Sequence, residues 1–187
     1  MYIKLLILFV FTHFSLLQAQ NVDIAFTLTE KDLIPEGITY DYTSKSFYIG
    51  SIHKNKVVRI DAKGNATDFI LTRQDGIGEV LGMHIDNKRR QLWICNNEGE
   101  NNPGGKSSVY VYDLKSAKLT RKYDWNQENE THLFNDVIVL SSGEGYVTDS
   151  DASSIYKVDP IKGTIELFIK SDRLQYCNGI TTSPDER

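Results

Sequence analysis

Apolar and polar positions in this chain alternate with the period of strands rather than that of helices. Beyond residue 20, runs of four to six β-branched and aromatic residues are separated by Gly, Asn, Asp and Ser. That is the composition of short strands joined by tight turns. No apolar stripe of helical spacing is sustained. The runs also recur as a unit. The first opens at Pro35-Glu36-Gly37-Ile38-Thr39-Tyr40-Asp41, continues through Phe47-Tyr48-Ile49-Gly50-Ser51 and closes at Val57-Val58-Arg59-Ile60-Asp61. The second opens at Leu81-Gly82-Met83-His84-Ile85-Asp86, continues through Gln91-Leu92-Trp93-Ile94-Cys95 and closes at Val109-Tyr110-Val111-Tyr112-Asp113. The third runs from Phe134-Asn135-Asp136 through Gly145 to Ser150 and closes at Ile155-Tyr156-Lys157-Val158-Asp159. A fourth begins at Asn178-Gly179-Ile180, where the expected first strand of a new unit leads to the last residue, Arg187.

The matched positions Gly37, Gly82, Asp136 and Gly179 lie 45, 54 and 43 residues apart. Several strands per unit at a period of about 40–50 residues is the signature of β-propeller blades. The competing reading is a β-sandwich with accidentally similar hairpins. Three closings ending in the same apolar-x-Asp step before a turn favour the propeller. The long second interval has local causes: Glu98–Lys106 inserts a loop, and Trp125–Thr131 lengthens a connection. Three units and the start of a fourth form an open arc with unpaired edges. The expectation is therefore an all-β chain holding about three and a half blades, truncated before its ring closes. A half-ring that dimerises is the alternative.

Residues 1–20 have a different pattern. Lys4 precedes an apolar run from Leu5 to Leu17, and Leu17-Gln18-Ala19 offers a cleavage site, as in a signal peptide. The run falls short of the roughly 20 residues of a spanning helix, so an uncleaved anchor is the weaker alternative. The expected organisation is a leader over 1–20 and a domain over 21–187, secreted or periplasmic. Loss of the leader removes Lys4 and no acid, taking the formal charge from −4 to −5. No dense basic cluster exists, which argues against nucleic acid and, after leader removal, against membrane surfaces. Lys88-Arg89-Arg90 and Arg121-Lys122 sit where turns are expected and read as solvated charge. Two cysteines, Cys95 and Cys177, exclude a disulfide scaffold. Cys95, inside an apolar run, reads as a buried thiol; a bridge between the two stays open. Asn65-Ala66-Thr67 and Asn129-Glu130-Thr131 fit the glycosylation acceptor pattern.

At the unit openings the residues become specific. Pro35-Glu36-Gly37 with Tyr40-Asp41, then Phe134-Asn135-Asp136, then Cys177-Asn178-Gly179-Ile180 with Ser183-Pro184-Asp185 resemble the senescence-marker-protein, gluconolactonase and luciferin-regenerating enzyme family, the regucalcin-like six-bladed propellers. The resemblance covers Ile34 to Arg187. It implies that the first side chains of several inner strands converge at one mouth of the central channel. Glu36 would offer a carboxylate there, and Asn135 and Asn178 neutral carbonyl oxygens. Such donors suit a hard divalent cation, Ca²⁺ first, with Mg²⁺ or Mn²⁺ as alternatives. Histidine and thiolate ligands with zinc spacing are not found. Asn is also a tight-turn residue, so a purely structural role stays open for each position.

The resemblance implies a metal-dependent hydrolase of lactones or related sugar-derived esters, with a small-molecule substrate. The alternative is a non-catalytic, NHL-like propeller binding a protein or glycan. Two departures matter. The family's further acidic ligand is expected beyond Arg187, leaving no catalytic residue assigned and the chain as it stands inactive. Paraoxonase-like relatives carry a histidine just before the second unit's glycine, whereas this chain has Leu81, with His84 two residues past Gly82. His132 reads as a surface-loop histidine, or as one lining the channel mouth. Asp136 and Asp149 are nearby acids that no spacing rule makes a base.

Overall fold

The structure, a computed structural model, describes residues 24–98, 106–125 and 130–186. The expected leader over 1–20, Asn129 of the second acceptor motif and most of the Glu98–Lys106 insertion lie outside the described residues. Twelve strands form three antiparallel sheets of four. The first holds β1 (Pro35–Asp41), β2 (Ser46–Ser51), β3 (Lys56–Ile60) and β4 (Ala66–Ile70). The second holds β5 (Glu79–Asp86), β6 (Gln91–Asn97), β7 (Ser107–Asp113) and β8 (Leu119–Trp125). The third holds β9 (Phe134–Val139), β10 (Gly145–Asp149), β11 (Ser154–Asp159) and β12 (Thr164–Lys170). Within each sheet the strands pair in chain order, the up-and-down order of a propeller blade.

The sheets stack face to face, and the period-two pattern explains how. In β6, Leu92 and Ile94 join Tyr48, Val57 and Ile70 of the first sheet in one core cluster. Trp93 and Cys95, on the opposite face, join Phe134, Val137 and Val147 of the third. A strand buried on both faces has no reason to alternate, hence the unbroken run Leu92-Trp93-Ile94-Cys95. The far side of the first sheet is covered by the segment ahead of β1, where Phe26, Leu28 and Leu33 pack on Ile49, Val58 and Ile60.

The recurring aspartates end strands for a chemical reason. Asp61 accepts N–H bonds from Lys63 and Asn65, Asp113 from Ser116, and Asp159 from Ile161 and Lys162. Each carboxylate folds the turn from the third strand to the fourth around itself.

Four expectations are corrected. Arg121 and Lys122 lie within β8, not in a turn. Lys88-Arg89-Arg90 does form a turn, but its charges are engaged. Arg90 grips Asp41 of the first sheet at 2.7 and 2.5 Å, while Arg89 bonds Asp86 at 2.9 Å and the Ser141 carbonyl of the third sheet at 3.0 Å. That turn therefore cross-links all three sheets. The fourth unit does not open with a strand, since Asn178–Pro184 has no ladder partner among the described residues. Its Asn178 carbonyl and Ile180 N–H bond side chains of the third sheet instead, Thr148 and Asp136. Finally, His132 is not on the surface: it is 8% exposed and its Nδ1 lies 2.7 Å from Asp149 Oδ2, inside the protein.

Candidate functional site

The inner strands β1, β5 and β9 lie side by side, with their first residues at the same mouth. Their close approach depends on glycine. A Cβ on Gly37 would collide with the Leu81 carbonyl, and one on Gly82 with Asn135 and Asp136. The third strand carries Asp136 at the matched position, and its carboxylate occupies the room that Gly82 leaves.

A cavity of about 220 Å³ opens over this junction, lined by Glu36, Gly37, Gly82, Asn135, Asp136 and Asn178, with Ile38 and Met83. All three residues singled out from sequence, Glu36, Asn135 and Asn178, thus border one space. Asn135 is 8% exposed. Its Nδ2 donates to Ser150 Oγ at 3.0 Å, which leaves the amide oxygen as the end available to a ligand. Ser150 Oγ in turn donates to the Cys177 carbonyl at 2.7 Å, and Thr148 Oγ1 to the Asn178 carbonyl at 2.6 Å. These bonds dock the coil carrying Asn178 against β10. Asp136 completes the docking: its Oδ1 accepts the Val137 N–H at 2.9 Å and its Oδ2 the Ile180 N–H at 3.0 Å.

The electrostatics are those of two carboxylates facing one cavity. Partial burial pushes the Glu36 carboxyl above its ordinary value, and the negative charge of Asp136 pushes it the same way. Burial pushes the half-buried His84 imidazole down, against the opposing pull of Asp86 and Asp136. His84 does not border the cavity, and neither do His132 or Asp149. Asp149 accepts N–H bonds from Leu133 and Ala152 besides its contact with His132, so it serves the fold. Cys95 and Cys177 are both free thiols; burial holds the Cys95 thiol well above its ordinary value, far from a reactive thiolate.

Asp136 is a participant that the sequence marked only as a nearby acid, without a role in the site. The available signal was an acid at a repeat position held by glycine in the other three units. Thr148 and Ser150, which hold the coil, gave no signal, because a hydroxyl at a strand end is ordinary. Among the described residues no group of three or more His, Cys, Asp or Glu side chains is arranged to hold a metal. The cavity instead combines two carboxylates with two amides.

Residues 34–187 match the profile of the SMP-30/gluconolactonase/LRE-like region. No curated protein matches the sequence significantly. Among solved structures, a catalytically inactive virginiamycin B lyase from Staphylococcus aureus with quinupristin superposes with a TM-score of 0.66 at 18% identity, over 85% of this chain and 49% of that one. Hydrazine synthase of Kuenenia stuttgartiensis gives 0.61 at 16% identity, over 90% and 43%. The WD40 β-propeller domain of Doa1 gives 0.53 at 13% identity, over 72% and 39%. These likenesses concern the fold, a β-propeller of which this chain spans about half the length or less.

Proposed function

The chain belongs to the SMP-30/gluconolactonase/LRE-like family, and from that premise we propose that it supplies the cation-holding part of a secreted hydrolase of lactones or related sugar-derived esters. The observation that carries this reading is the convergence of Glu36, Asn135 and Asn178 on one cavity beside Asp136. Burial and the neighbouring Asp136 charge raise the proton affinity of Glu36, and a divalent cation between the two carboxylates would offset that cost. Amide oxygens complete a donor set suited to Ca²⁺, or to Mg²⁺ or Mn²⁺.

Glu36 and the two amides would be the cation's protein ligands. Asp136, with both oxygens engaged by backbone N–H groups, contributes negative charge and holds the Asn178 coil in place. A bound cation would supply Lewis acidity toward the acyl oxygen of the substrate. In the hydrolysis, water adds to the acyl carbon, the bond to the ring oxygen breaks, and that oxygen leaves as a hydroxyl of the resulting hydroxy acid. None of the cavity residues is assigned as the base.

The reading is tested by cation binding first and activity second. Terbium luminescence, sensitised by the protein's aromatic residues, should report one site that Ca²⁺ displaces with a dissociation constant on the order of 10⁻⁴ M. Glu36→Gln should weaken it at least about tenfold, the equivalent of ~1.4 kcal/mol. Hydrolysis of aldonolactones should be sensitive to chelator. Absence of binding at this site sinks the proposal; binding without hydrolysis of any of several lactones would leave a non-catalytic, ligand-binding propeller.

A further inference from the structure

A second cavity, of about 460 Å³, is linked to the first through the Asn135–Ser150 hydrogen bond and is lined by Thr131, Ser150, Asp151, Ser153, Gln175 and Tyr176. Ser150 is the hinge between the two spaces: it borders this cavity while accepting the Asn135 amide of the first and donating to the Cys177 carbonyl. The three segments that supply the lining are tied to one another. The Ser150 N–H donates to the Leu133 carbonyl at 2.9 Å, and the Leu133 N–H to Asp149 Oδ1 at 3.0 Å. His132 and the Ala152 N–H hold the same carboxylate, and the Cys177 thiol reaches the Asp149 carbonyl at 3.3 Å. The buried His132–Asp149 pair is thus the frame beneath a preformed depression, and preformed concave sites of about 300–1,000 Å³ are what small ligands occupy.

Its chemistry is specific. Hydroxyls, a carboxylate and an amide surround one large aromatic ring, Tyr176, which is 82% exposed. The Tyr176 backbone has φ of 52°, a left-handed conformation that bulky residues rarely adopt and that the surroundings must hold. Carboxylate and amide oxygens accept from vicinal hydroxyls, while the apolar C–H face of a pyranose stacks on an aromatic ring. Asp151 disfavours a uronate or phosphate, and the scarcity of aliphatic lining disfavours an apolar ligand.

We propose that this depression is a subsite for a neutral pyranoside, so that the substrate is a sugar lactone or ester carrying a further sugar ring. The extension rests on the hydrolase reading; the saccharide site itself does not.

Binding is measured on the whole chain by amide NMR with maltose and cellobiose, and galacturonate as the acidic control. The expected result is saturable shifts at residues 131, 150–153 and 175–176 with one of the neutral disaccharides, and a dissociation constant on the order of 1 mM. Tyr176→Ala, at an exposed position, should weaken it roughly tenfold; Asp151→Asn should also weaken it and relax the exclusion of galacturonate. In lactone assays, the disaccharide-derived aldonolactone should lose its advantage in kcat/KM over gluconolactone in Tyr176→Ala, with the gluconolactone rate unchanged. Saccharide binding that both variants weaken, without hydrolysis of any lactone, supports the subsite and overturns only the enzymatic reading. No saturable binding up to about 50 mM, or binding indifferent to both substitutions, overturns the subsite whatever the lactone assays show.

Discussion

The carboxylate of Asp136 accepts the backbone N–H of Ile180 at 3.0 Å, across 44 residues of sequence. Through this bond the inner strand of the third sheet positions the coil that carries Asn178, while the same carboxylate sits close enough to Glu36 to raise its proton affinity. One side chain therefore contributes to both the position and the charge of the candidate site, beside Thr148 and Ser150, which also hold the coil, and the burial of Glu36.

Asp136→Ala removes both roles at once, and two readouts tell them apart. A hydrogen bond to a charged group contributes about 1.5–3 kcal/mol, and relief of the repulsion on Glu36 offsets part of that, so a net loss of about 1–2 kcal/mol is expected. The Ile180 amide should exchange with solvent faster in the variant, and the Glu36 carboxyl should titrate at lower pH. Unchanged exchange at Ile180 would show that Thr148 and Ser150 hold the coil alone.

Glu36→Gln makes a prediction in pH. Glu36 has its folded-state pKa raised above the ordinary value of 4.5, so the folded protein holds this proton more tightly than the unfolded chain does. The resulting stabilisation is complete below pH 4.5 and is lost as pH rises through the raised value. Without cation, the Gln variant should melt above the wild type at pH 7, and the difference should shrink below pH 4.5. Saturating Ca²⁺ should reverse the order at pH 7. A Gln variant that melts below the wild type at pH 7 in chelator contradicts the electrostatic account.

The parts legible in the sequence are those whose burial alternates or whose chemistry repeats. The inner three strands of each sheet were visible because both faces of β6 and β7 are apolar and because Asp61, Asp113 and Asp159 mark the same turn. The outer strands β4, β8 and β12 were not distinguished. Thr67-Asp68, Thr120-Arg121-Lys122 and much of β12 are exposed, so pairing with the neighbouring strand, rather than an apolar face, defines them. In the candidate site, Glu36, Asn135 and Asn178 were legible through resemblance. The His132–Asp149 pair was not: the two lie 17 residues apart, in a loop and at a strand end, and only the fold brings them together.

Glycine at the junction of inner strands can be tested against glycine in an open turn. Gly82→Ala places a methyl group into the Asn135 carbonyl and the Asp136 backbone, neither of which is a flexible side-chain end. A cost of about 1–3 kcal/mol or more is expected from overpacking. Gly163 has φ of 73° and open space around its would-be Cβ, so Gly163→Ala should cost only backbone strain, about 1–2 kcal/mol. Urea midpoints measure both. The variants also differ in kind: Gly82→Ala should perturb the amide signals of Asn135 and Asp136, and Gly163→Ala should leave them alone.

The Arg90–Asp41 pair, which clasps the second sheet to the first, gives the acid-side counterpart. Asp41 is fully buried, Arg90 is 34% exposed, and the guanidinium engages both carboxylate oxygens. Its hydrogen bonds to Arg90, helped by those from Ser44 and Thr43, hold the Asp41 carboxyl well below the usual carboxylate range. Because the folded-state pKa is depressed, the stabilisation is complete above the ordinary value of 3.8 and is lost only as pH falls through the folded value. Removing the arginine leaves a buried charge with two remaining donors. A fully buried pair would lose about 3–5 kcal/mol; solvent around Arg90 and the bonds from Thr43 and Ser44 reduce this to about 2–3 kcal/mol. Arg90→Met should show that loss in urea denaturation at pH 7, and progressively less of it below pH 4. Arg90→Lys should recover only part, since one ammonium cannot span both oxygens. Pairing Arg90→Met with Asp41→Asn should restore much of the stability at pH 7, because the cost lies in the stranded charge rather than in the lost attraction. A double variant no more stable than Arg90→Met alone would place the cost in the packing of the Arg90 stem between the sheets instead.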